Sequence, residues 1–278
     1  MNMNKEVVAH IENLEHTYSS GHKALIDINL DIYKQEITAI IGQNGSGKTT
    51  LSKHFNGLLR PTAGKIFVNG KDVASRRVSE MAREVGYVFQ NPNYQLFCPT
   101  VLEEIRFGLK NLKLSDEEIK ARSREVIEEF DLRGMVKKQP VTLSSGSKKI
   151  VALASVYAMD PEILFLDEPT TGQDQYGKTK LGLLSRKMKQ LGKTIIIISH
   201  DMDFVAEYAD RVIVMNESRV ILDGTPADVF SNEEVMKTAH IMPPQIYAIG
   251  NHIHAVSSET RLSVMELAKV LAEGDYCL

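Results

Sequence analysis

Gly42-Gln43-Asn44-Gly45-Ser46-Gly47-Lys48-Thr49-Thr50 is the stretch whose reading decides the fold. It follows Ile37-Thr38-Ala39-Ile40-Ile41, a short apolar run of the kind that forms a buried strand. It precedes a pattern in which Leu51, Phe55, Leu58 and Leu59 fall at helical spacing. Strand, glycine-rich turn and helix is the setting in which G-x-x-x-x-G-K-[ST] cradles phosphates. Gly42, Gly45 and Gly47 let backbone N–H groups approach phosphate oxygens, with Gln43, Asn44, Ser46 and Thr50 in the same turn. Lys48 supplies a point charge for the β- and γ-phosphates, and Thr49 offers a hydroxyl to Mg²⁺. The bland alternative is a βα turn without a ligand, which the flanking strand and helix make the poorer reading.

Working outward, composition bounds the rest. The 278 residues suffice for a sizeable core in one or two domains. Lys and Arg total 33 against 36 Asp and Glu, a net charge of −3 that argues against a general nucleic-acid binder. Met1–Lys5 lead into an alternating strand and not into an apolar signal core. Runs such as Ile163–Leu166 and Ile195–Ile198 are far too short to span a bilayer, so a membrane role is expected only through a partner. Cys98 and Cys277 lack metal-site or C-x-x-C spacing and read as free thiols of a reducing cytosol.

Before the glycine-rich turn, Val7–Thr17 and Ala24–Tyr33 read as strands, the second alternating as if one face were wet. After it, Lys65–Val68 and Lys71–Val73 flank Asn69-Gly70, a pair suited to a type I′ hairpin turn. Val85–Phe89 is a further strand ending at Gln90. From about 91 to 160 the spacing becomes helical. Ser115 and Glu118 form a capping box, with Ile119, Val126, Ile127 and Phe130 on one face behind it. Ser144–Met159 is a second helix, with Ile150, Leu153, Ala154 and Tyr157 as its packing stripe. Strands over Glu162–Asp167, Thr194–Ser199, Arg211–Met215 and Arg219–Leu222 alternate with helices over Tyr176–Leu191 and Met202–Ala209. The pattern predicts an α/β chain with a mainly parallel sheet, an antiparallel β subdomain and an inserted α-helical subdomain. The domain expectation is a body over 1–230 and a small C-terminal extension over 231–278.

Ile163–Leu166 end in Asp167-Glu168. In phosphate-loop nucleotidases such a strand is expected beside the loop strand, its terminal Asp167 helping to hold Mg²⁺. Glu168, one residue on, is the candidate general base for an attacking water. The alternative is a core strand running into an acidic turn. His200 follows the strand Thr194–Ser199, on the edge of a parallel sheet where ligands bind, and suits a γ-phosphate contact or a plain cap. Gln90 ends a strand on that edge and suits Mg²⁺ ligation or water orientation. Tyr18 suits stacking on a base or ordinary packing. His10, His16, His240 and His252 stand in no motif and read as structural.

In this order the residues resemble the ATP-binding cassette (ABC) ATPases over about 5–230. The resemblance implies Tyr18 as base-stacking aromatic, Gly42–Thr49 as Walker A, Gln90 as Q-loop, and Leu143–Ser147 as signature. It implies Asp167 and Glu168 as Walker B, Gln173-Asp174 in the D-loop, and His200 as switch histidine, with ATP and Mg²⁺ as cofactors. Lys48, Gln90, Glu168 and His200 would be catalytic, and Thr49, Gln90 and Asp167 would face the metal. Phe89–Phe97, with Pro99-Thr100-Val101 and Phe107-Gly108, further resemble the Q-loop region of energy-coupling factor (ECF) importers of the CbiO type. That resemblance implies a peripheral ATPase at the cytoplasmic face of the membrane. Its partners would be a second ATPase, a membrane coupling subunit and a substrate-binding membrane subunit, with no nucleic acid. The cargo would be a vitamin, a vitamin precursor, or a cobalt or nickel ion.

The departure is at the signature. Where the family has Leu-Ser-Gly-Gly-Gln, this chain has Leu143-Ser144-Ser145-Gly146-Ser147. Gln173 and Gln175 stand where Leu and Pro are usual in the D-loop. Because a signature serves the opposite subunit's nucleotide, an asymmetric heterodimer is expected, with Ser144, Ser145, Gly146 and Ser147 completing the weaker site. Ser145 is suspect for adding a Cβ where backbone angle or close approach favours glycine. Two other readings stand beside this one: a soluble ABC ATPase acting on ribosomes or DNA, and a P-loop kinase of small molecules.

Overall fold

The computed structural model describes residues 5–252; Cys277 and the part of the expected extension beyond 252 lie outside them. The chain runs β1 (Val7–Thr17), β2 (Lys23–Tyr33), β3 (Ile37–Gly42), α1 (Lys48–Phe55), β4 (Ala63–Val68), β5 (Lys71–Asp72), α2 (Val78–Met81) and β6 (Val85–Val88). A helical block follows: α3 (Val101–Asn111), α4 (Asp116–Glu129) and α5 (Ser145–Ala158). Then come β7 (Ile163–Asp167), α6 (Gln175–Gln190), β8 (Thr194–Ile198), α7 (Met202–Tyr208), β9 (Arg211–Asn216) and β10 (Arg219–Gly224). Three short helices close the described chain: α8 (Pro226–Phe230), α9 (Glu233–Thr238) and α10 (Gln245–His252).

The strands form two sheets. One is antiparallel, in the order β2-β1-β4-β5; the other runs β10-β9-β3-β8-β7-β6 and is parallel except for the edge strand β10. The hairpin turn falls where expected, with Asn69 at φ 51° and Gly70 at φ 71°, as a type I′ turn requires. The strand carrying Asp167 does not lie beside the phosphate-loop strand, contrary to expectation. β8 pairs with β3 on one side and with β7 on the other. Asp167 therefore reaches the loop from one strand further away.

Strand alternation divides the core. Ile195 and Ile197 of β8 pack with Leu164, Leu166 and helices α3 to α6, whereas Ile196 and Ile198 pack with Phe165, Phe55 and the antiparallel sheet. Both faces of β8 are covered, which is why its run is β-branched throughout. Each such isoleucine contributes about 1.5–3 kcal/mol on burial. A third cluster, from Ala39 and Ile41 to Phe230 and Tyr247, seats α8, α9 and α10 against β9.

Helix α5 differs from its expected one-sided stripe: Lys149 through Ser155 are all buried. The cause is its position. It packs against α3, α4 and β6 at once, so no side faces water for two turns.

Candidate active site

The loop Gly42–Gly47 is built around close backbone approach. Gly42 has φ 151°, and a Cβ there would lie 2.1 Å from the Met215 carbonyl oxygen; Gly47 has φ 101°, and its Cβ would lie 2.5 Å from the Ala24 carbonyl oxygen. Only glycine fits either position. Gly47 is also the N-cap of α1, and no side chain caps that helix, whereas Thr100, Ser115, Ser144 and Asp174 cap α3, α4, α5 and α6. The first N–H groups of α1 are left to a ligand, and the positive end of the helix dipole makes that ligand an anion.

Lys48 is buried. Its Nζ donates to the carbonyls of Gly42 (2.7 Å) and Gln43 (2.6 Å) and lies 3.4 Å from Ser46 Oγ. Burial lowers its pKa, while the nearby charges of Glu168 and Asp167 oppose that shift. The ammonium thus lies within the loop itself.

A cleft of about 320 Å³ opens over this loop. Tyr18, Asn44, Gly45, Gly47, Lys48, Thr49, Thr50, Gln90, Asp167, Glu168 and His200 line it, together with His22, Ala24 and Ile198. Gly42, Gln43 and Ser46 lie behind it as the acceptors that hold Lys48. The three candidate metal-facing residues, Thr49, Gln90 and Asp167, all offer oxygen donors to this one cleft. No group of three or more His, Cys, Asp or Glu that could hold a metal occurs among the described residues. Such a sparse oxygen set fits Mg²⁺, which takes one or two carboxylates and fills its remaining positions with phosphate and water.

Both carboxylates are buried at the end of β7. Asp167 Oδ2 accepts a hydrogen bond from Tyr87 Oη at 2.8 Å, and burial raises its carboxyl pKa. Burial pushes Glu168 up to about 7, with the Asp167 charge adding to the effect. Glu168 holds φ 48°, the left-handed region that a glutamate occupies only at a cost. Its backbone is tied on both sides: its N–H donates to the Ile198 carbonyl (2.9 Å), and its carbonyl accepts from Lys149 Nζ (2.7 Å). His200 sits opposite. Its N–H donates to Glu168 Oε2 at 3.3 Å, and its Nε2 lies 3.1 Å from Oε1. The latter approach is not directed as a hydrogen bond, and buried Oε1 has no hydrogen-bond partner among the described residues. Burial and Lys48 lower the His200 pKa, favouring neutral imidazole.

Tyr18 stands at the rim, partly exposed, with its hydroxyl 3.0 Å from Thr50 Oγ1. Beneath it His16 meets the Tyr18 ring edge-on at 4.7 Å, and His54 meets His16 edge-on at 4.8 Å. His54 Nδ1 donates to the Thr50 carbonyl at 2.7 Å, closing a ring of contacts from the aromatic to helix α1. His16, read as structural, thus supports the aromatic at the cleft.

Ser144–Ser147 lie elsewhere. They line a separate opening of about 380 Å³ with Gly172, Gln173, Asp174, Tyr176 and Lys180. Ser144 caps α5: its Oγ accepts from the Ser147 N–H (3.3 Å) and donates to Ser147 Oγ (3.0 Å). Ser145 carries no positive φ, so the concern about backbone angle does not hold in this chain. Gln173 occupies the space beside Gly146; a Cβ on that glycine would lie 2.6 Å from Gln173 Oε1. One fold therefore presents the phosphate loop and Ser144–Ser147 at separate openings. Tyr87, Lys149, His16 and His54 are the supporting residues that sequence reasoning missed. Lys149 left no trace, because it stands beside Lys148 at the polar start of α5, before the apolar run from Ile150.

Comparison with known proteins agrees with this geometry. The ABC transporter family model matches residues 25–171. The energy-coupling factor transporter ATP-binding protein EcfA of Methanocaldococcus jannaschii is 41% identical over 86% of this chain and 86% of its own length. The structure of cbiO1 from Clostridium perfringens, part of the ABC transporter complex cbiONQ, is 40% identical, with a TM-score of 0.78 over 88% of this chain and 99% of that one. A dimeric ATP-binding cassette in a post-hydrolysis state with ADP and Pi bound is 27% identical, with a TM-score of 0.70 over 78% of this chain and 98% of that one. The chain spans 45%, 40% and 38% of the length of three other relatives it matches. The chain belongs to the ABC transporter family, among its energy-coupling factor ATP-binding proteins.

Proposed function

We propose that the chain binds and hydrolyses ATP as one ATPase of a pair that powers an ECF-type importer at the cytoplasmic face of a membrane. The observation that carries the hydrolytic reading is the convergence of Lys48, Asp167, Glu168, His200 and Tyr18 on one cleft at the uncapped end of α1. The triphosphate would lie along the N–H groups of that end, with the Lys48 charge against its β- and γ-oxygens. Tyr18 would stack on the base. Mg²⁺, held by Thr49 and Asp167 with Gln90 nearby, would neutralise charge on the phosphates. Glu168, with a pKa near 7, suits a base that takes a proton from water attacking the γ-phosphorus. Its Oε1 makes no directed hydrogen bond and faces His200 Nε2 at 3.1 Å, which sets base and histidine side by side. His200 would donate to the γ-phosphoryl oxygens as charge develops.

Two separate half-sites support pairing with a second ATPase, since each chain offers a Walker cleft and a signature that cannot meet within it. The polar, hydroxyl-rich signature Ser144–Ser147 favours a non-identical partner. The relatives, an energy-coupling factor transporter ATP-binding protein and a part of the ABC transporter complex cbiONQ, support a place in a membrane transporter complex; a coupling subunit, a substrate-binding subunit and a vitamin, vitamin precursor, cobalt or nickel cargo are the form of that complex we propose. No helix among the described residues is long and apolar enough to cross a membrane, so energy transfer would pass through Gln90–Gly108 to a partner. The test is to purify the chain from its native membrane. ECF-type membrane subunits and a second ATPase should co-purify with ATP hydrolysis, and recovery without any membrane protein would reject the transport reading.

A further inference from the structure

Lys149 is a buried cation that the reaction just described does not use. It lies in the first turns of α5, immediately after the signature residues, and only 5% of it is exposed. Its Nζ donates to the Glu168 carbonyl at 2.7 Å and to the Pro169 carbonyl at 3.2 Å. No carboxylate pairs with it among the described residues. Both acceptors are backbone oxygens of the turn that leaves β7, and Glu168 in that turn holds φ 48°. A non-glycine residue persists in that region only where its surroundings over-determine it. The β7 end is fixed by the Glu168 N–H bond to β8. On the carbonyl side, the Thr171 N–H at 3.3 Å is long, so the Lys149 ammonium is the strong donor.

We propose that Lys149 is a positioning residue for ATP hydrolysis: from the signature helix, it clamps the Glu168–Pro169 backbone so that the Glu168 carboxylate faces the γ-phosphate. The proposal rests on the reading of Glu168 as base. It has a structural consequence: α5 carries at its N-terminus the signature offered to the partner's nucleotide and, one turn on, the clamp on the base of its own site. The two sites thus share one rigid element. Without the clamp, the turn relaxes and the carboxylate moves while the phosphate loop, built on β3 and α1, stays in place. Hydrolysis should therefore suffer and ATP binding should not.

The experiment compares Lys149→Met, Lys149→Arg and Glu168→Gln in the complex purified with its co-purifying subunits, measuring steady-state turnover and ATP affinity. Lys149→Met keeps the length and apolar stem but donates nothing. It should lower kcat about 10- to 100-fold, the scale of a misplaced catalytic group, and leave ATP affinity within about twofold. Lys149→Arg, which still donates to carbonyls, should recover most of the loss. Unchanged ATP affinity in Lys149→Met also shows that the variant is folded. Turnover of Lys149→Met within twofold of the parent overturns the proposal, provided that Glu168→Gln is slow. So does a parallel fall in ATP affinity, which marks a merely structural lysine, or a Lys149→Arg variant as slow as Lys149→Met. A fast Glu168→Gln variant would instead remove the base reading, and the proposal with it.

Discussion

The two ends of this chain's nucleotide machinery are built by opposite rules. At the Walker cleft, helix α1 begins on a glycine and has no side-chain cap, so its N–H groups are left for an incoming anion. At the signature, helix α5 begins on Ser144, which turns inward to bond Ser147, and Gln173 fills the space beside Gly146. The first end gathers buried charge: Lys48, Asp167 and Glu168 all lie below a tenth exposed. The second offers hydroxyls, an amide and exposed Tyr176, and its charges are engaged elsewhere, Asp174 on the α6 cap and Lys180 on Asp131. A helix N-terminus becomes a binding site only where its donors are left unspent. Here the chain keeps them for its own phosphate loop and partly occupies them where it would serve a partner.

Substitutions can break or sharpen that contrast. The largest effect is expected at Glu168. Glu168→Gln should retain ATP binding and lose about 10²- to 10⁴-fold in kcat, measured as turnover beside equilibrium ATP binding; near-parental turnover would remove Glu168 as base. Gly42→Ala drives a Cβ into the Met215 carbonyl at 2.1 Å. It should lower stability by about 1–3 kcal/mol and weaken ATP binding, read by thermal unfolding with and without ATP; an unchanged Tm would contradict the close approach. Tyr18→Ala should weaken ATP binding by about 5- to 150-fold, the worth of a base–aromatic stack of about 1–3 kcal/mol. It should leave inorganic triphosphate, which has no base, bound as before. Equal loss for both ligands would return Tyr18 to ordinary packing. The smallest effect belongs to the signature. Ser145→Gly with Ser147→Gln should raise turnover of the paired complex only a few-fold, since one site of two changes and Ser144 with Gly146 already supply its main donors.

Legibility in the sequence followed the same contrast. The phosphate loop could be read because a fixed backbone path demands glycine, lysine and threonine at fixed local spacing, and Gly42 and Gly47 show that demand as steric fact. The place of Asp167, Glu168 and His200 on the cleft was legible because they lie at or within two residues of the ends of buried strands, Asp167 at the end of β7, Glu168 just after it and His200 two residues beyond β8. The order of those strands was not, because β8 comes later in the chain than β7 yet inserts between it and β3, a matter of crossover that periodicity does not encode. Supporting contacts were hidden for a similar reason. Tyr87 reaches Asp167 across 80 residues of chain, and Lys149 reaches Glu168 across 19. Neither spacing carries a local signature. His54 was silent too, since its ties to the cleft are packing against His16 and a bond to the Thr50 carbonyl, and no motif marks either. The substitution of Gln for Leu at 173 was visible as a departure, but that its amide lies against the signature glycine required coordinates.

The inequality of the two half-sites is tested most directly by turnover in two preparations, the purified chain alone and the complex with its co-purifying ATPase. Each is measured with and without the pair Ser145→Gly and Ser147→Gln. The chain alone should hydrolyse ATP more slowly than the complex, because both of its composite sites would use the degenerate signature. The paired substitution should then speed the chain alone more than it speeds the complex. Equal rates for chain and complex, with no response to the paired substitution, would contradict the account.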